Sequence, residues 1–447
     1  MLRQGRLIQP KRQRGGLHWV LMTKRAGAAL LLATAVLFLI ANRAAYKGYF
    51  QDDELNNIAW TRDIPVIDYV KAILTPRFFE NNFRPVGHFY FREMSLLNGL
   101  DFPRYLPVLH LAHLLNVWMV WLIASHLGIG PLPASLGTLF FAFDMAAFDI
   151  YWKPMYVFDL FCATFCLLAI FLYMRRRYVL AFCAFWLAYK SKELAVMLPV
   201  LLACYEFWFA QDRSWKRLAP FFAASIVFGL QALFLNPNTD NDYTFRFTLA
   251  AFWKSLIFYA SRILLIPYAG FALIALPLLV RDRRLWFGAA TMALFFVPLL
   301  FLPGRLFAAY CYLPLAGFAL MAATIASIPQ LTPVVALLCI LWIPLNFTHL
   351  RKNRRDTLAA DADARIYVTA LQTFRQTSKA PRAFLYDGLP AKFNWWGVDG
   401  ALRFLYGYPG PELRAASEPQ PSGSGPAVLL KWDPATHKLA VVAFKFQ

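Results

Sequence analysis

Charged residues are scarce in this 447-residue chain: they make up 16% of it, while 59% is hydrophobic. Soluble domains are about a quarter charged and about half apolar, so an ordinary water-soluble fold is excluded. Cysteine chemistry is missing as well. The six cysteines, at 162, 166, 183, 204, 311 and 339, all lie within apolar runs. None has zinc-ligand spacing to a histidine and none sits in a loop suited to a disulfide, which leaves packing as their role. No tandem repeat recurs, so the chain is not a solenoid. Behind the first apolar run there is no small-residue cleavage site. Asn42-Arg43 follow it directly, so a retained anchor is expected. Acidic residues are few beside basic ones, 25 against 45, for a net charge of +20. The excess sits at the start of the chain (Arg3, Arg6, Lys11, Arg12, Arg14, Lys24, Arg25) and in short loops between apolar runs. That is the pattern of the positive-inside rule, and it argues against nucleic acid as a partner.

What is abundant is apolar sequence in runs near the ~20 residues that cross a bilayer. Only helices can repeat that way in lipid, because each backbone polar group must find its partner within its own segment. The expected fold is an all-α polytopic membrane protein of about 11 spans. They are read at 26–42, 105–126, 131–150, 155–174, 178–191, 194–210, 218–235, 262–280, 285–303, 306–328 and 331–348. With the N-terminus (1–25) in the cytoplasm, Arg175-Arg176-Arg177, the 211–217 loop and Arg281–Arg284 fall inside. Segments 44–104, 144–154, 190–193 and 236–250 then fall outside. The stretch 246–280 reads as a surface helix bearing Lys254 and Arg262, followed by one crossing. Arg351, Lys352, Arg354 and Arg355 resist this count, since they land outside. The remainder, 349–447, changes character. It reads as a helix over 356–377, strands at 383–386, 427–432 and 439–446, a turn at 433–436 and a flexible Pro/Gly/Ser linker at 419–425: a small α/β module.

Chemistry concentrates in the loop 44–104, which carries Asp52-Asp53-Glu54 and then Arg84-Pro85, His88, Arg92 and Glu93. Adjacent carboxylates raise each other's pKa unless a cation or substrate relieves them, which suits a general base, a metal ligand or a solvated helix cap. Asp144, Asp149 and Asp159 lie in or beside apolar helices, where acidic groups are costly and functional by default. Asp159 could also simply pair with Lys153 or with an arginine of a neighbouring helix. Lys190-Ser191-Lys192-Glu193 sits between two apolar segments too close together for a real loop. Its lysines suit a lipid phosphate, or snorkel to the interface. His110 and His113 share one face of the second span, as a packing pair or as two ligands lacking a third.

Taken in order, these residues resemble the membrane glycosyltransferases of the GT-C superfamily. The likeness is strongest to the protein O-mannosyltransferase-like group that includes the transmembrane and tetratricopeptide-repeat O-mannosyltransferases. Asp52-Asp53 match that group's acidic pair after the first span, Phe83-Arg84-Pro85-Val86 its aromatic-Arg-Pro motif, and His113–Asn116 its second-helix motif. Asp149 stands in its Glu slot, Asp159-Leu160 follow at the right spacing, and Ser191-Lys192-Glu193 match a Ser-Lys-Glu motif. Tyr312-Leu313-Pro314 with Gly317 match part of a late motif. Two motif arginines are replaced, by Val157 and Ala309; Arg305 lies one turn before the latter.

The resemblance implies a sugar, a mannose-like hexose or a pentose, transferred from a polyprenyl-phosphate donor to a hydroxyl on protein, glycan or lipid. Transfer would take place at the outer face of the cytoplasmic membrane. Asp52 or Asp53 would be the base. Lys192, with Lys190 or Arg305, would neutralise the leaving phosphate, and Arg84, His88, Asp149, Asp159, Glu193 and Tyr312 would bind or position substrate. The O-mannosyltransferases are understood to work without a metal, while other GT-C enzymes use one, so no cofactor is required and Mg or Mn stays open. The competing class is a secondary transporter or lipid-carrier flippase, for which charged residues within helices would mark a transport path. The sequence shows no inverted repeat, and the long acidic first loop has no role in such a design. An O-antigen ligase or polymerase would instead be expected to carry a long late external loop bearing Arg and His.

Overall fold

The computed structural model describes residues 14–76, 83–234, 242–407, 410–418 and 425–446. The basic residues from Arg3 to Arg12 and nearly all of the 419–425 linker lie outside the described residues.

The chain opens with α1 (Arg14–Ala41), α2 (Asp52–Thr61), α3 (Val66–Leu74), α4 (Pro85–Asn98), α5 (Leu106–His126) and α6 (Pro131–Phe143). The short α7 (Asp149–Trp152) leads into α8 (Val157–Met174), α9 (Tyr178–Ser191), α10 (Leu198–Trp208) and α11 (Ala219–Phe234). Then come α12 (Leu249–Arg262), α13 (Gly270–Leu279), α14 (Arg283–Leu300), α15 (Tyr312–Ala326) and α16 (Thr332–His349). Among the described residues, six helical stretches are long and apolar enough to cross a membrane: Arg25–Lys47, Phe102–His126, Pro154–Met174, Arg283–Leu300, Ala308–Ala326 and Thr332–His349.

Among the described residues the other five expected spans are helices below that length: α6 of 13 residues, α9 of 14 with the expected bounds, α10 of 11, α11 of 16 up to the last described residue, and α13 of 10. At 1.5 Å per residue they reach roughly 15–24 Å, less than the ~30 Å of a hydrocarbon core. The physical reason is visible at their ends. Asp144 stops α6, and the Lys192-Glu193 pair interrupts the apolar run between α9 and α10. The expected span 262–280 begins instead with Arg262 closing α12, a seven-residue turn, and the short α13, which contains Pro277. The expected surface helix over this stretch is present as α12, with Ala251, Ser255 and Tyr259 buried while Leu249 and Trp253 are exposed. The helix α15 is the most enclosed of the long ones, 89% buried, because its Ala- and Gly-rich sequence lets neighbours close in.

The tail's helix begins five residues earlier than expected, α17 (Arg351–Thr377) following α16 after one residue. Four strands, β1 (Ala383–Asp387), β2 (Glu412–Ala415), β3 (Gly425–Asp433) and β4 (Lys438–Phe446), form a sheet in the order β2-β1-β3-β4. The outer β3/β4 pair is the expected hairpin, closed by Asp433, whose carboxylate accepts from Ala435 N at 2.9 Å and Thr436 Oγ1 at 2.6 Å. Missing from the sequence reading are β2 and the helix α18 (Trp395–Tyr406).

The tail packs on the first loop. Asp361 of α17 pairs with Lys153 and accepts from Tyr49 N at 3.1 Å and Gln51 Nε2 at 2.9 Å. Arg365 Nη2 donates to the Lys47 and Gly48 carbonyls at 3.1 and 2.6 Å. The loop 44–104, the 144–154 junction and the tail therefore share one end of the molecule.

Candidate active site

Consecutive helix residues point about 100° apart, so the two aspartates at the start of α2 face different surroundings. Asp52 is held by the tail: its Oδ1 accepts from Asn394 N at 2.7 Å and its Oδ2 from Asn394 Nδ2 at 2.5 Å. Burial raises the pKa of Asp52, against the pull of these two hydrogen bonds. Asp53 is exposed and lines a cavity of about 770 Å³. Asn56, Asn57, Trp60, Asp63, Arg84, His88 and Arg403 line the same space.

Glu54 turns inward. It closes the capping box with Gln51 N at 2.7 Å and accepts from Met155 N at 3.1 Å, tying α2 to the junction before α8. Burial pushes its carboxyl up to about 7, although Lys153 and the two backbone donors act to lower it. A folded state that keeps a proton the unfolded chain would release is favoured at low pH. The contribution is full below the ordinary value of 4.5 and is lost as pH rises through about 7. The loss is at most about 3 kcal/mol. The melting temperature is expected to fall as pH rises from about 5 to about 8, and Glu54→Gln to flatten that fall.

Arg84 caps α4, with Pro85 at its first position, and its main-chain N–H donates to His88 Nδ1 at 2.9 Å. His88 is thereby fixed one turn on, its ring stacked on Phe83 at 5.3 Å between centroids. Burial, then the Arg84 charge, holds its pKa well below the usual value, so it is a neutral hydrogen-bonding group. The Arg84 guanidinium grips Glu193 with two bonds, Nε–Oε1 at 3.0 Å and Nη2–Oε2 at 3.1 Å. Lys192, next in the chain, pairs with both oxygens of Asp159 at 2.6 and 2.7 Å and sits over the Tyr310 ring at 4.4 Å. On the other side of this tyrosine, Arg305 Nη2 donates to Tyr310 Oη at 3.5 Å, and the guanidinium lies over the Tyr243 ring at 4.2 Å. The Asp53 carboxylate acts electrostatically on Arg305. Arg305 Nε is buried without a hydrogen-bond partner among the described residues.

The structure thus gathers Asp53, Arg84, His88, Asp159, Lys192, Glu193 and Arg305 into one region. Four expected members stand apart, the first being Asp52, taken up by Asn394. Lys190 points away from Lys192; its Nζ donates to Thr75 O at 2.5 Å and packs over the Trp186 and Phe228 rings. Asp149 lies on the Lys153–Asp361 side, within electrostatic reach of both and of Lys392. Tyr312 is interior, its hydroxyl joined to His113 Nδ1 at 2.8 Å and Asn116 Nδ2 at 3.1 Å. Tyr310, two residues earlier, is the tyrosine at the site. Tyr312→Phe is expected to cost ~1–3 kcal/mol of stability with substrate KM values unchanged, read by melting in detergent beside kinetics. Val157 and Ala309, in the places of the two motif arginines, are wholly buried.

Sequence reasoning missed Tyr310, Trp60, Asn56, Asn57 and Arg403. The only local signal for Tyr310 was its spacing, two residues before the motif tyrosine. Among the described residues no three His, Cys, Asp or Glu side chains converge.

The fold and the site together define a helical protein with, among the described residues, six membrane-length apolar helices, and with a polar, charge-lined cavity beside a small α/β tail. No family model matches the chain, and no curated protein matches it.

Proposed function

We propose that the protein is a glycosyltransferase of GT-C type, moving a sugar from a polyprenyl-phosphate donor to a hydroxyl acceptor at the outer face of the membrane. The observation that carries this reading is Arg305. Its buried Nε has no hydrogen-bond partner among the described residues, it shares Tyr310 with Lys192, and it lies within electrostatic reach of Asp53. A carboxylate exposed in a polar cavity beside a cation with a donor to spare suits displacement from a phosphate-linked sugar.

In the reaction, Asp53 takes the proton of the acceptor hydroxyl as its oxygen bonds to the anomeric carbon. The carbon–oxygen bond to phosphate breaks, and its electron pair leaves on polyprenyl phosphate. Arg305 and Lys192 stabilise that charge, and inversion at the anomeric carbon follows from a single displacement. Arg84–Glu193 and Lys192–Asp159 hold the cations in place. No residue needs to coordinate a metal for these steps.

The test is a liposome assay with a radiolabelled polyprenyl-phosphate hexose and an envelope fraction supplying protein, glycan and lipid acceptors. Label is expected to leave the donor as polyprenyl phosphate accumulates. Intact donor moved between leaflets, with none cleaved, would instead make the protein a carrier.

A further inference from the structure

The tail's α18 lies on α2 with backbone against backbone. A Cβ on Gly400 would come within 2.5 Å of Asn56 N, and one on Gly397 within 2.6 Å of Asp52 Oδ1. Only glycine at these two positions, three apart on one helical face, lets the helices approach so closely. Both ends of the contact are fastened. Asp52 accepts the two hydrogen bonds from Asn394, just before α18, and Arg62 at the far end of α2 lies over the Phe404 ring at 4.8 Å. Held this way, α18 places Arg403 in the wall of the cavity that Asp53 lines, its guanidinium paired with Asp399 at 2.8 Å.

The direction of approach follows from polarity. In the transferase reading a lipid-linked donor arrives from the bilayer and is met by Lys192, just past the end of α9, and Arg305, between α14 and α15. The polar tail meets the cavity at α2, where Arg403 joins its lining, and in the same reading a hydroxyl acceptor enters on this side. The wall there combines the Trp60 ring with Asn56, Asn57 and Asp63. An aromatic face suits the C–H face of a pyranose, and planar amide and carboxylate groups suit its neighbouring hydroxyls.

We infer that the C-terminal tail is the acceptor-side wall of this site: α18 sets Arg403 as a contact to a saccharide acceptor, and Asp52 is the positioning residue that holds α18 on the helix carrying Asp53. The inference rests on the transferase reading for its substrate, but its docking half stands on geometry alone.

Two measurements on the full chain in nanodiscs test it. With a tritiated polyprenyl-phosphate hexose as donor and octyl mannoside as acceptor probe, Arg403→Gln is expected to raise the acceptor KM about 10-fold while the donor KM stays within about twofold. An unchanged acceptor KM, an equal rise in donor KM, or transfer to a Ser/Thr peptide but not to the octyl sugar would overturn the acceptor assignment. In the second, Gly400→Leu is expected to raise hydrogen exchange of residues 52–61 by about 10-fold or more, with or without activity. Unchanged protection there would overturn the docking. No transfer by wild type from any donor, together with lost protection in Gly400→Leu, would sink the transferase reading and the acceptor role while leaving the docking in place.

Discussion

Asp53→Asn is expected to lower kcat for sugar transfer by about 10²–10⁴-fold, with donor KM little changed. The amide keeps the shape and the exposed position on α2 but cannot take a proton from the acceptor hydroxyl. Asp52→Asn is expected to behave differently, because both Asp52 oxygens already accept hydrogen bonds from Asn394. It loses an acceptor for the Asn394 side chain and loosens the tail, so it should raise acceptor KM by roughly 10-fold or less and leave kcat near wild type. Steady-state kinetics on the two variants separate base from clamp. Equal kcat losses in both would mean that the pair acts as one unit, and a near-normal Asp53→Asn would remove it as the base.

Lys192→Met should be the most damaging single change to stability in the site. Lys192 and Asp159 are 13% and 6% exposed, so removing the ammonium leaves a carboxylate buried and unpaired. Such a loss costs about 3–5 kcal/mol, whereas replacing both partners with apolar groups of similar volume is often neutral or better. The double variant Lys192→Met/Asp159→Leu is therefore expected to recover most of the melting temperature and none of the transfer. Recovery of both would reduce the pair to a structural bridge. Recovery of neither would mean that the polar pair is needed for packing as well as for chemistry.

The long helices were legible because lipid imposes a simple rule: an apolar run of sufficient length satisfies its own backbone and needs nothing from the rest of the chain. The shorter ones fall below membrane length where a polar group interrupts such a run, as Asp144 does at the end of α6. Asp144 falls within a window that remains apolar on average, so hydropathy carried the expected span 131–150 across it, whereas Lys192-Glu193 was read as the break that it is. In the site, motif order located Arg84, Asp159, Lys192 and Glu193, whose pairing across distant segments depends on charge types visible in the sequence. Which of two near neighbours faces the cavity was not legible. Lys190 lies within α9, while Lys192 is just past its end in an extended conformation, φ −165° and ψ 151°, which turns its side chain the other way. Tyr310 and Tyr312 differ similarly, across the join between a 3₁₀ turn and α15. The docking of the tail had no local signature, because Gly397, Gly400 and Asn394 acquire meaning only against α2, more than three hundred residues earlier. Two glycines within a short stretch lower the intrinsic helix propensity of α18, and the same two make its contact with α2 possible.

The most direct measurement is a density map of the protein in nanodiscs with a non-cleavable phosphonate analogue of a polyprenyl-phosphate hexose. The account predicts the phosphonate within hydrogen-bond reach of Arg305 and Lys192, with the sugar in the cavity facing Asp53. A phosphonate bound elsewhere, such as beside Arg281–Arg284, with the cavity empty of sugar would contradict it.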